Sequence, residues 1–484
     1  MDPRSWFKDL TSYFLFILFV ATLGPLLFGY HIAELNAPQD VITCQRKSLS
    51  TTVPTSLPQC IRMTPAQIGL VSSIFTAGGL VGALAAGPLS ARHGRLKTMR
   101  LTTIFFIIGP VFEALAPNIG VLALGRFISG IGAGSSVVTV PIYISETAPP
   151  AEKGFFGSLT QVMVNCGIFL SQLLGYFFSH DQMWRVILAV GGVVGVAQAV
   201  GLLFSVESPK WTAEHVSPRT AKAVLQKIRG SKADIDEEFS TWAAGPGDDP
   251  ADAEEPLLGD ASSGSTKPRR IIGMLEVLRH PDTKKPVFAI IMVMVAQQFT
   301  GINSIIMYGV ALLADLLQSN SALLNLSVSA LNIAVTAGCA PLVDKLGRKT
   351  CLLSSIAGMG VSSLLLAIGI TRSIQVLSAV AVLLFVASFA LGLGPIPFIL
   401  SAELVGPEAV AATQGWALGA SWVSTFVVAQ FFPMVNAWLG KGKVYFIFAG
   451  LAAFFWCFVA WIVPETKGKK DADEVWGRAR VRSD

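Results

Sequence analysis

The sequence predicts an all-α membrane protein: twelve transmembrane helices arranged as two six-helix, pseudo-symmetric halves. Three observations carry this. Hydrophobic residues make up 52% of the 484, charged residues only 14%, and the mean hydropathy is +0.60. Apolar runs near the roughly twenty residues needed to cross a bilayer recur along the whole chain. Three short motifs of the first half also return in the second at a nearly constant offset.

The expected spans are 11–33, 66–90, 99–116, 120–144, 157–179 and 184–206, then 286–315, 322–343, 350–370, 376–401, 411–436 and 443–463. The first run, Thr11 to Ile32, is long and lacks a small-residue cleavage site, so it reads as a span and not as a signal peptide. Most of the 36 lysines and arginines fall in segments on one side, with Arg126 left inside a span. By the positive-inside rule both termini are expected in the cytosol. The chain divides into an N-terminal half (1–207), a cytosolic helical segment (208–242), a linker (243–270), a C-terminal half (271–466) and a tail (467–484). The linker is Gly, Pro, Ser and acid with almost nothing to bury, hence expected to be disordered. Its EEPLL, with Leu257 and Leu258, loosely resembles an acidic dileucine signal for a sorting adaptor.

Taken in order, span one ends in FGYHIAELNAPQ and places His31 near its outer part. Histidine changes charge near neutral pH, so it is the candidate for proton coupling; the alternative is a hydrogen-bonding residue that never changes charge. Cys44 and Cys60 share the first non-cytosolic loop, where an oxidising compartment would allow a disulfide. Residues 91–98, ARHGRLKT, form a basic turn between spans two and three, where Arg92 and Arg95 can reach carboxylates at neighbouring helix ends. Glu146, after the glycine-rich span four, is one of them, and Glu207 ends span six. The second half repeats the set: Gly347-Arg348 answers Gly94-Arg95, Glu403 answers Glu146, and Glu465 answers Glu207. Parallel repeats of this kind place a midplane site between halves that rock about it.

The stretch with most chemistry is QQFTGINSIIMY, Gln297 to Tyr308. Unpaired amides in hydrocarbon cost several kcal/mol each, so these face protein, a watery cavity or a ligand. On a straight helix Gln298 and Asn303 stand about 140° apart. They reach one ligand only if the helix loosens at Thr300-Gly301. Span five carries Gln161, span eight Asn332, and span eleven Ser421 and Trp422. Span ten breaks at Gly394, Pro395 and Pro397, which remove backbone donors at membrane depth. Amides with a few rings and no dense charge suit a small neutral sugar or polyol, although helix-to-helix bonding uses the same side chains. Asn325-Leu326-Ser327 is a glycosylation sequon close to the membrane. No phosphate loop, nucleophile elbow or metal-ligand spacing is present. The reading is therefore not an enzyme, with no cofactor, metal or nucleic acid, and a monomer in the lipid bilayer.

These motifs together (FGYHIAELNAPQ, ARHGRLKT, GRFISGIGAG, VESPKW, QQFTGIN, DKLGRK, GPIPF with SAEL, and PETKG) resemble the sugar-porter family of the major facilitator superfamily, in pattern nearest its facilitative glucose transporters. The resemblance implies the major facilitator fold and sugar contacts at Gln161, Gln297, Gln298, Asn303 and Asn332; Phe398 and Trp422 are the expected apolar walls. It also implies a gating charge network of Arg92, Arg95, Glu146, Lys153 and Glu207, mirrored by Asp344, Arg348, Glu403 and Glu465. Several positions depart from the pattern. His31 stands where proton-coupled members have Asp, which favours facilitated diffusion. Ala91, Ala390, Phe398, Ser421 and Val410 replace an acid, Glu, Trp, Asn and Arg common in the family. The expectation is carriage of a monosaccharide or polyol by alternating access, as a uniporter. The alternatives are proton symport through His31, or a sensor or trafficking protein on the same fold. A plasma membrane and a vacuolar or lysosomal endomembrane fit equally.

Overall fold

The structure is a computed structural model. It describes residues 10–45, 57–149, 152–231, 233–236, 238–239, 273–317, 320–406, 408–469 and 472–477, with the backbone alone for 153–154, 315–317, 320, 340–344 and 402. The linker with Leu257 and Leu258, and half of the tail, lie outside the described residues.

Among the described residues all regular structure is helical. The first part of the chain runs α1 (Ser12–Ala33), a short α2 (Gln39–Ile42), α3 (Pro65–His93), α4 (Arg95–Ala114), α5 (Ile119–Thr147), α6 (Lys153–Phe178) and α7 (Trp184–Leu203). Two small helices follow, α8 (Pro209–His215) and α9 (Pro218–Arg229), then α10 (Glu276–Arg279). The second part runs α11 (Pro281–Phe299), α12 (Ile302–Leu317), α13 (Asn320–Leu346), α14 (Arg348–Thr371), α15 (Gln375–Leu391), α16 (Ile396–Glu403), α17 (Val410–Leu439) and α18 (Val444–Ile462), with α19 (Ala472–Trp476) in the tail.

Eleven segments among the described residues are long and apolar enough to cross a membrane, α11 with α12 and α15 with α16 each counting as one. The expected third span falls on α4, which lies packed against α5 and α7 like its neighbours. Its sequence sets it apart: Arg95, Lys97 and Arg100 crowd one end and Glu113 the other. Those charges, not its length, keep it out of the eleven.

Local chemistry explains where helices start and how closely they pack. Thr11 caps α1 by accepting from the Phe14 N–H at 3.0 Å. Thr64 and Gln67 close a reciprocal capping box on α3, with Pro65 at its first position. The glycines of α5 let it lie on α3 backbone to backbone: a Cβ on Gly130 would sit 2.1 Å from the Phe75 carbonyl oxygen, and one on Gly134 would sit 1.9 Å from that of Gly79. Helix α9 buries Ala221, Leu225 and Ile228, and Arg229 donates to the Thr147 carbonyl at 2.8 Å, fixing this segment to the end of α5.

The two motif-bearing ends are built alike. Gly94, between α3 and α4, has φ +100°, and Gly347, between α13 and α14, has φ +96°. At the opposite end Cys44 and Cys60 are bonded. Three donors from the α6–α7 junction hold the segment before Cys60: Gln182 to the Leu57 carbonyl (3.1 Å), Arg185 to that of Pro58 (2.9 Å) and Trp184 to that of Gln59 (2.9 Å).

Candidate functional site

At the Gln297 stretch the chain stops one helix and starts another: α11 ends at Phe299, Gly301 takes φ +99°, and α12 begins at Ile302. A side chain at Gly301 would be strained there and would strike the Phe448 ring. This turn brings Gln298 and Asn303 together, with the Asn303 Nδ2 donating to the Gln298 Oε1 at 2.6 Å. The Gln298 Nε2 donates to Ser421 Oγ at 3.0 Å and to Gln297 Oε1 at 2.9 Å. Gln297 has a further task. Its Nε2 donates to the carbonyls of Leu393 (2.6 Å) and Gly394 (3.1 Å), at the break between α15 and α16. The Leu393 carbonyl would take its helical bond from residue 397, which is proline and has no N–H. Gln297 supplies the missing donor.

The other predicted amides form a second group, where α6 meets α13 across the two halves. Gln161 and Asn332 each donate to Asn165 Oδ1 at 3.4 Å. Asn165 Nδ2 donates to Thr336 Oγ1 at 3.0 Å, and Thr336 donates to Asn332 Oδ1 at 3.2 Å. Thr336 was not singled out from the sequence; its offset of four residues from Asn332 on one helix is the signal that could have found it. Gln297, Gln298, Asn303 and Asn332 are each at most 7% exposed, so in this conformation protein groups satisfy them.

Trp422 lies at the seam between halves. A Cβ on Gly79 would lie 2.3 Å from its ring, and the ring meets Phe28 edge-on at 5.7 Å. Phe398, on α16, is 43% exposed, unlike the buried amides.

The charge network forms inside each half. Arg95 donates to Glu146 at 2.7 Å, and Arg348 lies 3.1 Å from Glu403. Glu207 accepts from the backbone N–H of Arg95 (2.8 Å) and Leu96 (3.0 Å), and Glu465 from those of Arg348 (2.8 Å) and Lys349 (3.1 Å). Carboxylates at these helix N-termini meet unpaired backbone donors and the positive end of the dipole. Arg92 does not join: it is exposed in the last turn of α3 and pairs with no carboxylate among the described residues. The side chains of Lys153 and Asp344 lie outside the described ones.

At the disulfide end the halves are tied by side chains. Asn36 Oδ1 accepts from the Val310 N–H at 2.9 Å, and its Nδ2 donates to the Ile305 carbonyl at 3.3 Å and to Asn325 at 3.4 Å. Asn325 is thereby buried, with its amide also donating to the Ser321 carbonyl, which leaves no room for a glycan on the sequon. Ser73 donates to Gln430 at 2.9 Å, and Gln430 to the Ala66 carbonyl at 3.2 Å.

Sequence reasoning missed one cluster. His31 Nδ1 lies 3.0 Å from Glu34, whose Oε1 accepts from Arg126 Nη1 at 2.5 Å. Arg126 also donates to the His31 carbonyl at 2.6 Å and stands over the Phe75 ring. Glu113, on α4, accepts from Ser129 at 2.6 Å. The signal was present: Glu113 lies inside an expected span and Glu34 one residue past another, where acids need partners.

Two like-built helical bundles, interrupted helices at their amides and matching charge pairs at one end define a multi-pass membrane transporter and not an enzyme. The family model described as "Sugar (and other) transporter" matches residues 17–474, and the chain belongs to that family, the sugar porters of the major facilitator superfamily. It is 36% identical to a probable metabolite transport protein of Saccharomyces cerevisiae, over 96% of each chain. It is 29% identical to the facilitated glucose transporter member 3 of Rattus norvegicus, over 96% of this chain and 92% of that one. The inward-open xylose transporter XylE of E. coli shares the fold, with a TM-score of 0.76 at 23% identity, covering 96% of this chain and 99% of that one.

Proposed function

We propose that this chain carries a neutral monosaccharide or related polyol by alternating access, with both termini in the cytosol. The observation that carries this reading is the run Gln297–Gln298–Asn303–Ser421, assembled on the break at Gly301 and next to the seam at Trp422. A hydroxyl both donates and accepts, so a sugar can take over the Gln298–Asn303 and Gln298–Ser421 bonds one for one. A charged substrate would find no counter-ion in this run. The names of the family and of the glucose-carrying relative support a sugar. The bonded cysteines support placing the disulfide end on an oxidising side, away from the cytosol.

The test is uptake of a sugar panel by the purified full chain in liposomes. Removing the Gln298 amide takes away the partner in both bonds that the sugar would take over, about 0.5–1.5 kcal/mol each. Gln298→Ala is therefore expected to lower uptake at least about tenfold, since about 1.4 kcal/mol is a factor of ten. Unchanged uptake kinetics reject the site. With His31 at the family's acidic position, flux down the sugar gradient alone is the simplest mode. The buried carboxylates beside His31 favour a second reading, proton-linked transport.

A further inference from the structure

Resting on the carrier reading above, we infer that Asn165 is a specificity-determining residue of the first half. With Thr336 it holds one substrate hydroxyl across the two halves, and so sets which hydroxyl the carrier demands. The partners of Gln298, namely Gln297, Asn303 and Ser421, all belong to the second half. A sugar carried between two rocking bundles has to be gripped by both. Asn165 lies at the point where the first half can do this. It is the hub of the cross-half cluster, bonded to Gln161 on its own helix and to Asn332 and Thr336 on α13.

Its bonding separates Asn165 from the amides that serve the fold. Those bind backbone: Asn36 the Val310 N–H, Gln172 the Ala33 carbonyl, Gln198 that of Val20, Asn325 that of Ser321 and Gln297 that of Leu393. A backbone group left behind at membrane depth would be unpaired, so such an amide is committed to its place. Asn165 binds side chains alone, as Gln298, Asn303 and Asn332 do. Thr336 behaves the same way. Ser329 and Thr425 donate to the carbonyl four residues back, whereas Thr336 donates to the Asn332 side chain. Side chains bonded to one another can turn to a hydroxyl without stranding any backbone group.

Depth and access fit a ligand as well. Asn165 is the thirteenth of the 26 residues of α6, and Asn332 the thirteenth of the 27 of α13, so the two meet midway along their helices. Toward the end that bears the charge pairs, the cluster opens. Gln161 and Thr336, one turn on, are half-buried, and a Cβ on Gly157, a further turn along α6, would meet nothing within 4 Å. Residues 157, 161 and 165 are four apart and share one stripe of the helix. Asn165 closes the inner end of that stripe at 2% exposed. Its carboxamide offers both a donor and an acceptor, and the two bonds accepted by Oδ1 are long, 3.4 Å each. One hydroxyl can accept from Asn165 Nδ2 in place of Thr336 and donate to Oδ1 in place of Asn332. No partner in the cluster is charged, so the group read here is a hydroxyl and not an acid.

The full chain in liposomes is offered D-glucose, D-galactose, D-mannose, D-xylose and myo-inositol, then each monodeoxy derivative of the one carried fastest. One derivative is expected to lose about tenfold or more in kcat/KM, because it displaces the cluster's own bonds and leaves Asn165 unpaired. In Asn165→Val and in Thr336→Val that penalty is expected to shrink to about twofold or less, through KM, while the penalties at the other hydroxyls persist. A substitution that merely loosened packing would scale every derivative by one factor. Such uniform scaling, or a ranking identical to the parent's, overturns the assignment and leaves the carrier reading standing. Should Asn165→Val fail to fold, Thr336→Val, which exchanges one hydroxyl for a methyl, decides alone. Absence of flux for every compound in the parent chain overturns the carrier reading, and the role of Asn165 with it.

Discussion

In the first half the backbone N–H of Arg95 donates to Glu207 at 2.8 Å; in the second that of Arg348 donates to Glu465 at 2.8 Å. Each turn has a glycine near φ +100°, and each arginine pairs with a carboxylate at the end of the following span of its own half. Away from this end the likeness stops. The first half buries Glu34, Glu113 and Arg126, whereas the second buries Gln297, Gln298 and Asn303. The difference teaches that the repeated corner is a structural device both bundles need. The membrane-depth chemistry is free to diverge: both halves bury amides, and among the described residues only the first also buries acids and arginines.

The largest way to separate the halves is through their arginines. Arg126→Leu strands a buried carboxylate and is expected to cost about 3–5 kcal/mol. Arg348→Leu leaves Glu403 near solvent and in reach of Thr466, and is expected to cost about 1 kcal/mol or less. Unfolding midpoints in detergent compare them, and equal losses would erase the contrast between the halves. Next come the corner glycines. A Cβ at Gly94 or Gly347 would lie 2.4 or 2.6 Å from a carboxylate oxygen of Glu207 or Glu465, in a backbone region reserved for glycine. Gly94→Ala and Gly347→Ala are each expected to lose about 2–3 kcal/mol; a drop in only one breaks the equivalence of the corners. The smallest effect sharpens the amide side. Gln297→Ala leaves the Leu393 carbonyl unpaired and is expected to lower stability by about 1–2 kcal/mol. The same thermal measurement on Gln298→Ala should move less, because its partners are side chains that can turn to one another. If Gln297→Ala leaves the midpoint in place, its bond to the broken helix contributes nothing.

Much of this was legible beforehand because it depends on local sequence. The break at Gly301 follows from Thr-Gly amid amides, and that at Pro395 from two missing donors. The corner carboxylates could be paired with their turns because the motif occurs twice. Other features needed the third dimension. The exposure of Phe398 depends on how the helices assemble, and Arg92 stays out of the network because it lies on the exposed side of the last turn of α3. Gln297 read as a sugar ligand, yet its amide is committed to a carbonyl that Pro397 cannot serve.

By itself, then, the sequence determined the helical membrane class, the duplication and the positions of the breaks, since hydropathy, glycine and proline act within a few residues of themselves. Only the tertiary structure decided which polar groups share a pocket. Glu34, Glu113 and Arg126 come from three separate helices, and the free energy of a buried charge is set by neighbours that the chain order does not reveal.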